Sequence, residues 1–141
     1  MADAYDLDRF LKAQEETYDT ALGELRTGRK QSHWIWFVFP QLAGLGSSPT
    51  AQHYAIRSLE EAQAYLAHPI LGGRLHESLK ALQLLEPTSA ESVFGSLDAM
   101  KFRSSLTLFA EADGDPIVEA ALDRWFGGQR DETTLQLLGR A

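Results

Sequence analysis

The chain contains no cysteine, which excludes disulfides, thiolate catalysis and cysteine-ligated metal sites. It also lacks a long hydrophobic run. The longest unbroken, strongly apolar stretch is Trp34 to Phe39, far short of the roughly 20 residues that cross a bilayer as a helix. Positive charge is scarce as well: 13 Lys and Arg stand against 20 Asp and Glu, for a formal charge of −7. That balance keeps a small domain soluble and argues against nucleic acid as a partner, although a local basic patch is compatible with it. The opening Met-Ala-Asp-Ala-Tyr-Asp is acidic and polar, unlike the basic and then apolar start of a secretory signal. These absences predict a soluble cytoplasmic protein with no membrane partner.

What is present points to one folded domain over residues 1–141. A hydrophobic fraction of 44% and a charged fraction of 23% are globular values and leave no room for extensive disorder. Leu7, Phe10, Leu11, Gln14, Tyr18, Ala21, Leu22 and Leu25 recur every three or four residues, one face of a long helix. Asp6 is placed to cap its start and Gly28 to end it. Ser48-Pro49, Ser58 with Glu61, and Thr88 with Glu91 mark further helix starts, the last two with capping-box spacing. Ile70, Leu71, Leu75, Leu79, Leu82 and Leu85 follow His68-Pro69 as another buried face. Ser96 opens a helix that fades at Asp113-Gly114, Asp115-Pro116 opens one that ends at Gly127-Gly128, and Asp131 caps a last one. The expected class is all-α, a single compact multihelical domain of about six to eight helices.

The run Ser32-His33-Trp34-Ile35-Trp36-Phe37-Val38-Phe39-Pro40-Gln41 organises the chain. Periodicity cannot separate helix from strand in so short an apolar run. A lone strand would leave its backbone unpaired, so a short helix is expected, with Ser32 as its cap and Pro40 near its end. The plain reading makes the aromatic middle core. The functional reading gives His33 an acid–base or hydrogen-bonding role, lets Trp34 or Trp36 stack on a planar ligand, and adds Gln41 as a polar end.

A second stretch, Asp98 to Phe109, carries Lys101, Arg103, Ser104 and Ser105. Two cations with adjacent hydroxyls suit a phosphate or carboxylate, while an Asp98–Lys101 ion pair at helical spacing is the structural alternative. Gly44-Leu45-Gly46-Ser47-Ser48 precedes a helix start and could offer amides to an anion, but it lacks the Lys-Ser/Thr ending of a phosphate loop. The four histidines, His33, His53, His68 and His76, are 20, 15 and 8 residues apart. None forms a His-x-x-x-His pair, and no metal or other cofactor is expected.

Taken in order, Ser32 to Gln41, Tyr54-Ala55-Ile56, His68-Pro69-Ile70-Leu71-Gly72, Lys101 to Phe109 and Phe126-Gly127-Gly128 resemble a small bacterial family of helical domains of unknown function, sometimes labelled "calpastatin". The resemblance covers nearly the whole chain and implies a multihelical fold; it implies no activity or cofactor. The label does not suit the chain, because calpain inhibitors of that name are extended and repetitive, whereas this sequence is unrepetitive and has a core.

The functional expectation is therefore a soluble helical domain that binds, or acts on, a small anionic or nucleotide-like ligand near His33, Trp34, Trp36, Gln41, Lys101, Arg103, Ser104 and Ser105. Whether it is an enzyme stays open, as does its oligomeric state. The alternative is a protein-interaction module or homo-oligomer without catalytic activity, meeting its partner through Ile117, Trp125 and Phe126. Nucleic-acid binding through Arg26, Arg29 and Lys30 ranks third.

Overall fold

The computed structural model describes residues 3–140. Among these residues the chain forms ten helices and no strand: α1 (Asp8–Glu15), α2 (Tyr18–Thr27), α3 (Ile35–Val38), α4 (Pro49–His53), α5 (Leu59–Ala67), α6 (Pro69–Gln83), α7 (Ala90–Phe94), α8 (Ser96–Asp113), α9 (Pro116–Phe126) and α10 (Glu132–Leu137). The all-α class holds, but ten helices exceed the expected six to eight. The first expected helix breaks after Glu15: the Thr17 hydroxyl donates to the Ala13 carbonyl at 2.5 Å, and the Thr17 amide turns to Gln14 at 3.2 Å. A side chain competing for the backbone in this way ends the regular ladder. The short helices α3, α4 and α7 all fall where a helix is expected, so the split of the first helix into α1 and α2 is the added element.

Several helix starts follow the expected chemistry. Ser48, Ser58, Asp115 and Asp131 each accept a first-turn amide, as N-caps do. Three caps differ. The first amides of α1 are taken by Asp3, which accepts from Leu7 and Asp8 at 2.9 and 2.8 Å, while Asp6 occupies a left-handed turn at φ 51°. Ser89 rather than Thr88 caps α7. Ser32 does not cap α3, which begins after Trp34 without a side-chain cap. His68 caps α6 through Nδ1, which accepts from the Ile70 and Leu71 amides.

Helix α8 is the axis of the domain, packed against α3, α5, α7, α9 and α10. From Phe102 to Ala110 every residue except Arg103 is buried, the pattern of a helix surrounded by protein. Phe39, Phe94 and Phe102 meet around it, with ring centroids 4.6–6.2 Å apart. The aromatic run is helical over one turn only. Phe39 then leaves the helix at φ −125°, ψ 74°, outside the α region that a following proline disfavours. Beyond Pro40 the chain pairs once, in parallel, between Leu42 and Ile56.

Candidate ligand-binding cleft

The polar residues that flank the aromatic run act first as latches. Glu24 on α2 accepts hydrogen bonds from the Ser32 hydroxyl (2.6 Å), the Gln31 and Ser32 amides (2.7 and 3.0 Å) and the Trp34 indole (2.9 Å). Its partial burial pushes the pKa upward, but the Ser32 hydroxyl, the two amides and the indole outweigh that and hold it at about 2, since donors to the charged form favour ionisation. Because the folded pKa lies below the ordinary 4.5, the stability Glu24 contributes is full above that value and drains away as pH falls toward 2. Glu24→Gln is expected to lose about 1–2 kcal/mol at neutral pH, the gap between charge-assisted and neutral hydrogen bonds. In urea titrations the difference from the wild type shrinks as pH drops below 4.5; a constant difference would refute the assignment.

A second latch is Lys30, whose side chain is 5% exposed and whose Nζ lies 2.7 Å from Asp98. Asp98 also meets Lys101 at 3.2 Å. Burial alone would raise the Asp98 pKa; Lys30, and then Lys101, hold it below its ordinary value. The structural ion pair expected between Asp98 and Lys101 is thus present, with a second lysine added. Lys30 is buried in this pairing and is not displayed beside Arg26 and Arg29.

The structure divides the eight candidate ligand residues. Trp36, Gln41, Lys101 and Ser104 line one cleft of about 300 Å³ between the 36–46 segment, α8 and the start of α10. Trp34 is buried in the core. His33 is exposed beside a separate, small pocket of about 130 Å³ with Thr17 and Thr20. Arg103 lies along a neighbouring groove with Glu91 and Phe126, its guanidinium 3.9 Å from Asp131. Ser105 is fully buried, with no hydrogen-bond partner for its hydroxyl.

Trp36 is the one residue from 34 to 40 that is not buried. The Lys101 ammonium sits 4.2 Å from its ring centroid, an attractive cation–π geometry. Leu45, Leu97 and Met100 form apolar walls, and Leu97 and Met100 are 74% and 62% exposed. At the far side Asp131 accepts from the Ser104 hydroxyl at 3.2 Å and from the Thr134 amide at 3.0 Å. Gly46 closes the loop over this floor. A Cβ there would stand 2.6 Å from the Ala51 Cβ and 3.8 Å from the Trp36 ring, so its glycine serves packing rather than an anion. Leu97, Met100 and Thr133 carry no functional signal in the sequence, and Asp131 shows there only as a helix cap. Yet residues 97, 100, 101 and 104 repeat at three and four, a single helical stripe, and a wheel drawn from Lys101 finds the first two.

A larger groove of about 630 Å³ runs between α2 and α6, bordered by Arg26, His76, Glu77 and Lys80. It has no aromatic floor, and its carboxylate and imidazole are engaged elsewhere: Glu77 accepts from the Tyr18 hydroxyl, and His76 pairs with Asp115 at 2.6 Å. The combination of apolar walls and a few convergent polar groups that marks small-molecule sites belongs to the Trp36 cleft. Trp125, expected at an interaction surface, is buried and donates to Gln83 at 3.0 Å. No group of three or more His, Asp or Glu among the described residues is placed to hold a metal ion, and no helix among them is long and apolar enough to cross a membrane.

This architecture is shared. The chain belongs to the family described as "Protein of unknown function (DUF1810)", whose model matches residues 4–138. The chain is also similar to the conserved hypothetical protein Rv1873 from Mycobacterium tuberculosis, known from a crystal structure, with 51% identity, a TM-score of 0.95 and coverage of 97% of this chain and 99% of that one. No curated protein matches the chain. The likeness to a small helical family of unknown function is therefore established along nearly the whole chain.

Proposed function

We propose that this domain binds a small anionic ligand in the cleft between Trp36 and the Leu97–Ser104 stripe of α8. The observation that carries the reading is Trp36 itself. In a run of residues otherwise buried, one large aromatic stays open to a cleft and carries a lysine ammonium on its ring. A half-buried indole facing the cleft beside apolar walls supplies contact area, and Lys101 supplies the charge. The reading is of binding rather than catalysis, because His33, the one acid–base candidate from the sequence, borders a different pocket. In a thermal-shift screen of small carboxylates, phosphates and sulfonates, at least one anion is expected to stabilise the wild type. A ligand at 100 times its Kd adds about 2.7 kcal/mol. The same anion is expected to leave Lys101→Ala unmoved, and equal stabilisation of both proteins would refute the site.

The second reading is an interaction module or homo-oligomer, favoured by the exposure of Leu97 and Met100 at the cleft edge. Light scattering separates the two: a monomer at high concentration whose mass is unchanged by Met100→Glu speaks against self-association through this face.

A further inference from the structure

Resting on that reading, we infer that the cleft selects a monocarboxylate with a small apolar body, and rejects phosphates and nucleotides. The inference follows from what each polar group around the cleft has left to give. Asp98 is shared by Lys30 at 2.7 Å and Lys101 at 3.2 Å, and Asp131 faces Arg103 at 3.9 Å. Two lysines share the single Asp98 carboxylate, which leaves one positive charge of that cluster uncovered. Lys30 is buried against its partner, so that charge resides on Lys101, the cation that lines the cleft.

A phosphate dianion needs more than one point charge, typically a bidentate arginine or a cradle of free amides. Neither is offered. The α10 start is closed by its own Asp131, which takes the Thr134 amide at 3.0 Å and sets a carboxylate at the rim. On the loop side, Ser48 takes the Ala51 amide at 3.1 Å. A single carboxylate asks less: one oxygen for the Lys101 ammonium and one for a neutral donor. Gln41 lines the same cleft, and its carboxamide makes no hydrogen bond among the described residues. Trp36, Leu45 and Met100 would then hold an apolar body, and a cleft of about 300 Å³ lies at the small end of ligand sites.

The test is an NMR titration of the wild type that follows the Trp36 indole N–H, with benzoate, benzamide and phenyl phosphate as probes of similar size and different charge. Benzoate is expected to bind about tenfold or more tighter than benzamide, the worth of one hydrogen bond to a charged group, and tighter than phenyl phosphate. Lys101→Met, whose folding is checked by its amide spectrum, removes the benzoate preference. Gln41→Leu weakens benzoate while sparing benzamide less than Lys101→Met does. Should phenyl phosphate bind most tightly, or benzamide match benzoate, the selection for a monocarboxylate is wrong while the cleft stands as a binding site. Should none of the three move Trp36 up to its solubility limit, the inference and the underlying site both fall.

Discussion

Arg9→Met is expected to destabilise the protein by about 3–5 kcal/mol, the cost of breaking a buried ion pair from one side. The guanidinium is enclosed, and all five of its N–H groups are used. Nε donates to the His53 carbonyl at 2.8 Å; one terminal nitrogen donates to Tyr5 and Asp6 at 2.7 and 2.8 Å; the other donates to Ala55 at 2.8 Å and to Glu61 at 2.7 Å. Side-chain exposures of 5% for Arg9 and 3% for Glu61 leave almost no water to replace those bonds. One residue thus ties the turn before α1, the α4–α5 connection and the first turn of α5. Losing about 3–5 kcal/mol from a domain of typical stability, about 5–15 kcal/mol, brings it near the edge of folding. Arg9→Lys is expected to fail nearly as badly, because an ammonium has three donors and no planar fork. The double variant Arg9→Met/Glu61→Leu regains only part of the loss, since the carbonyls of Tyr5, Asp6, His53 and Ala55 stay without their donor. Urea unfolding followed by circular dichroism reads all three. A shift under about 0.5 kcal/mol for Arg9→Met, the range of an ordinary surface change, would show that the hub does not hold these segments.

Adjacent glycines of α6 are expected to respond in opposite directions. A Cβ at Gly72 would lie 2.1 Å from the Leu66 carbonyl oxygen and 3.0 Å from its carbon. Both are backbone atoms at the end of α5, held by the tight passage through His68 and Pro69. Neither can rotate away, so Gly72→Ala must push α5 and α6 apart. Overpacking of this kind costs about 1–3 kcal/mol or more. At Gly73 a Cβ meets nothing within 4 Å, and alanine there is expected to stabilise by up to about 1 kcal/mol through helix propensity alone. Thermal unfolding of the two variants checks the pair; a Gly72→Ala protein as stable as Gly73→Ala would mean that α5 and α6 can separate without cost.

How much of this was legible in the sequence varies by element, for physical reasons. Helices α6, α8 and α9 were plain, because their apolar positions recur at helical spacing and their ends carry His-Pro, Asp-Pro or glycine signals that act locally. The break between α1 and α2 was not, since the same periodicity continues through both and the competing Thr17–Ala13 bond is one contact. Arg9 was invisible: a charged residue beside an apolar stripe reads as solvated, and its carbonyl partners at His53 and Ala55 lie 44 and 46 residues away. Glu24, on the polar side of its helix, likewise reads as solvated, while its four donors all come from the segment that it anchors. For the cleft, the sequence singled out Trp36, Gln41, Lys101 and Ser104, but residue type alone could not say which tryptophan turns outward. Trp34 lies just before the short α3 turn and Trp36 within it, two residues apart. Arg103 and Ser105 are next to the stripe in sequence but off it on the helix.

The most direct measurement of the binding cleft is a ¹H–¹⁵N NMR map with a small anion. The three tryptophans report separately, because the Trp34 indole is bonded to Glu24 and the Trp125 indole to Gln83, whereas Trp36 opens on the cleft. Binding there predicts that the Trp36 indole shifts together with the amides of residues 41–46 and 97–104, leaving Trp34 and Trp125 in place. Shifts confined instead to the α2–α6 groove around Arg26, His76 and Lys80, with Trp36 unmoved, would contradict it.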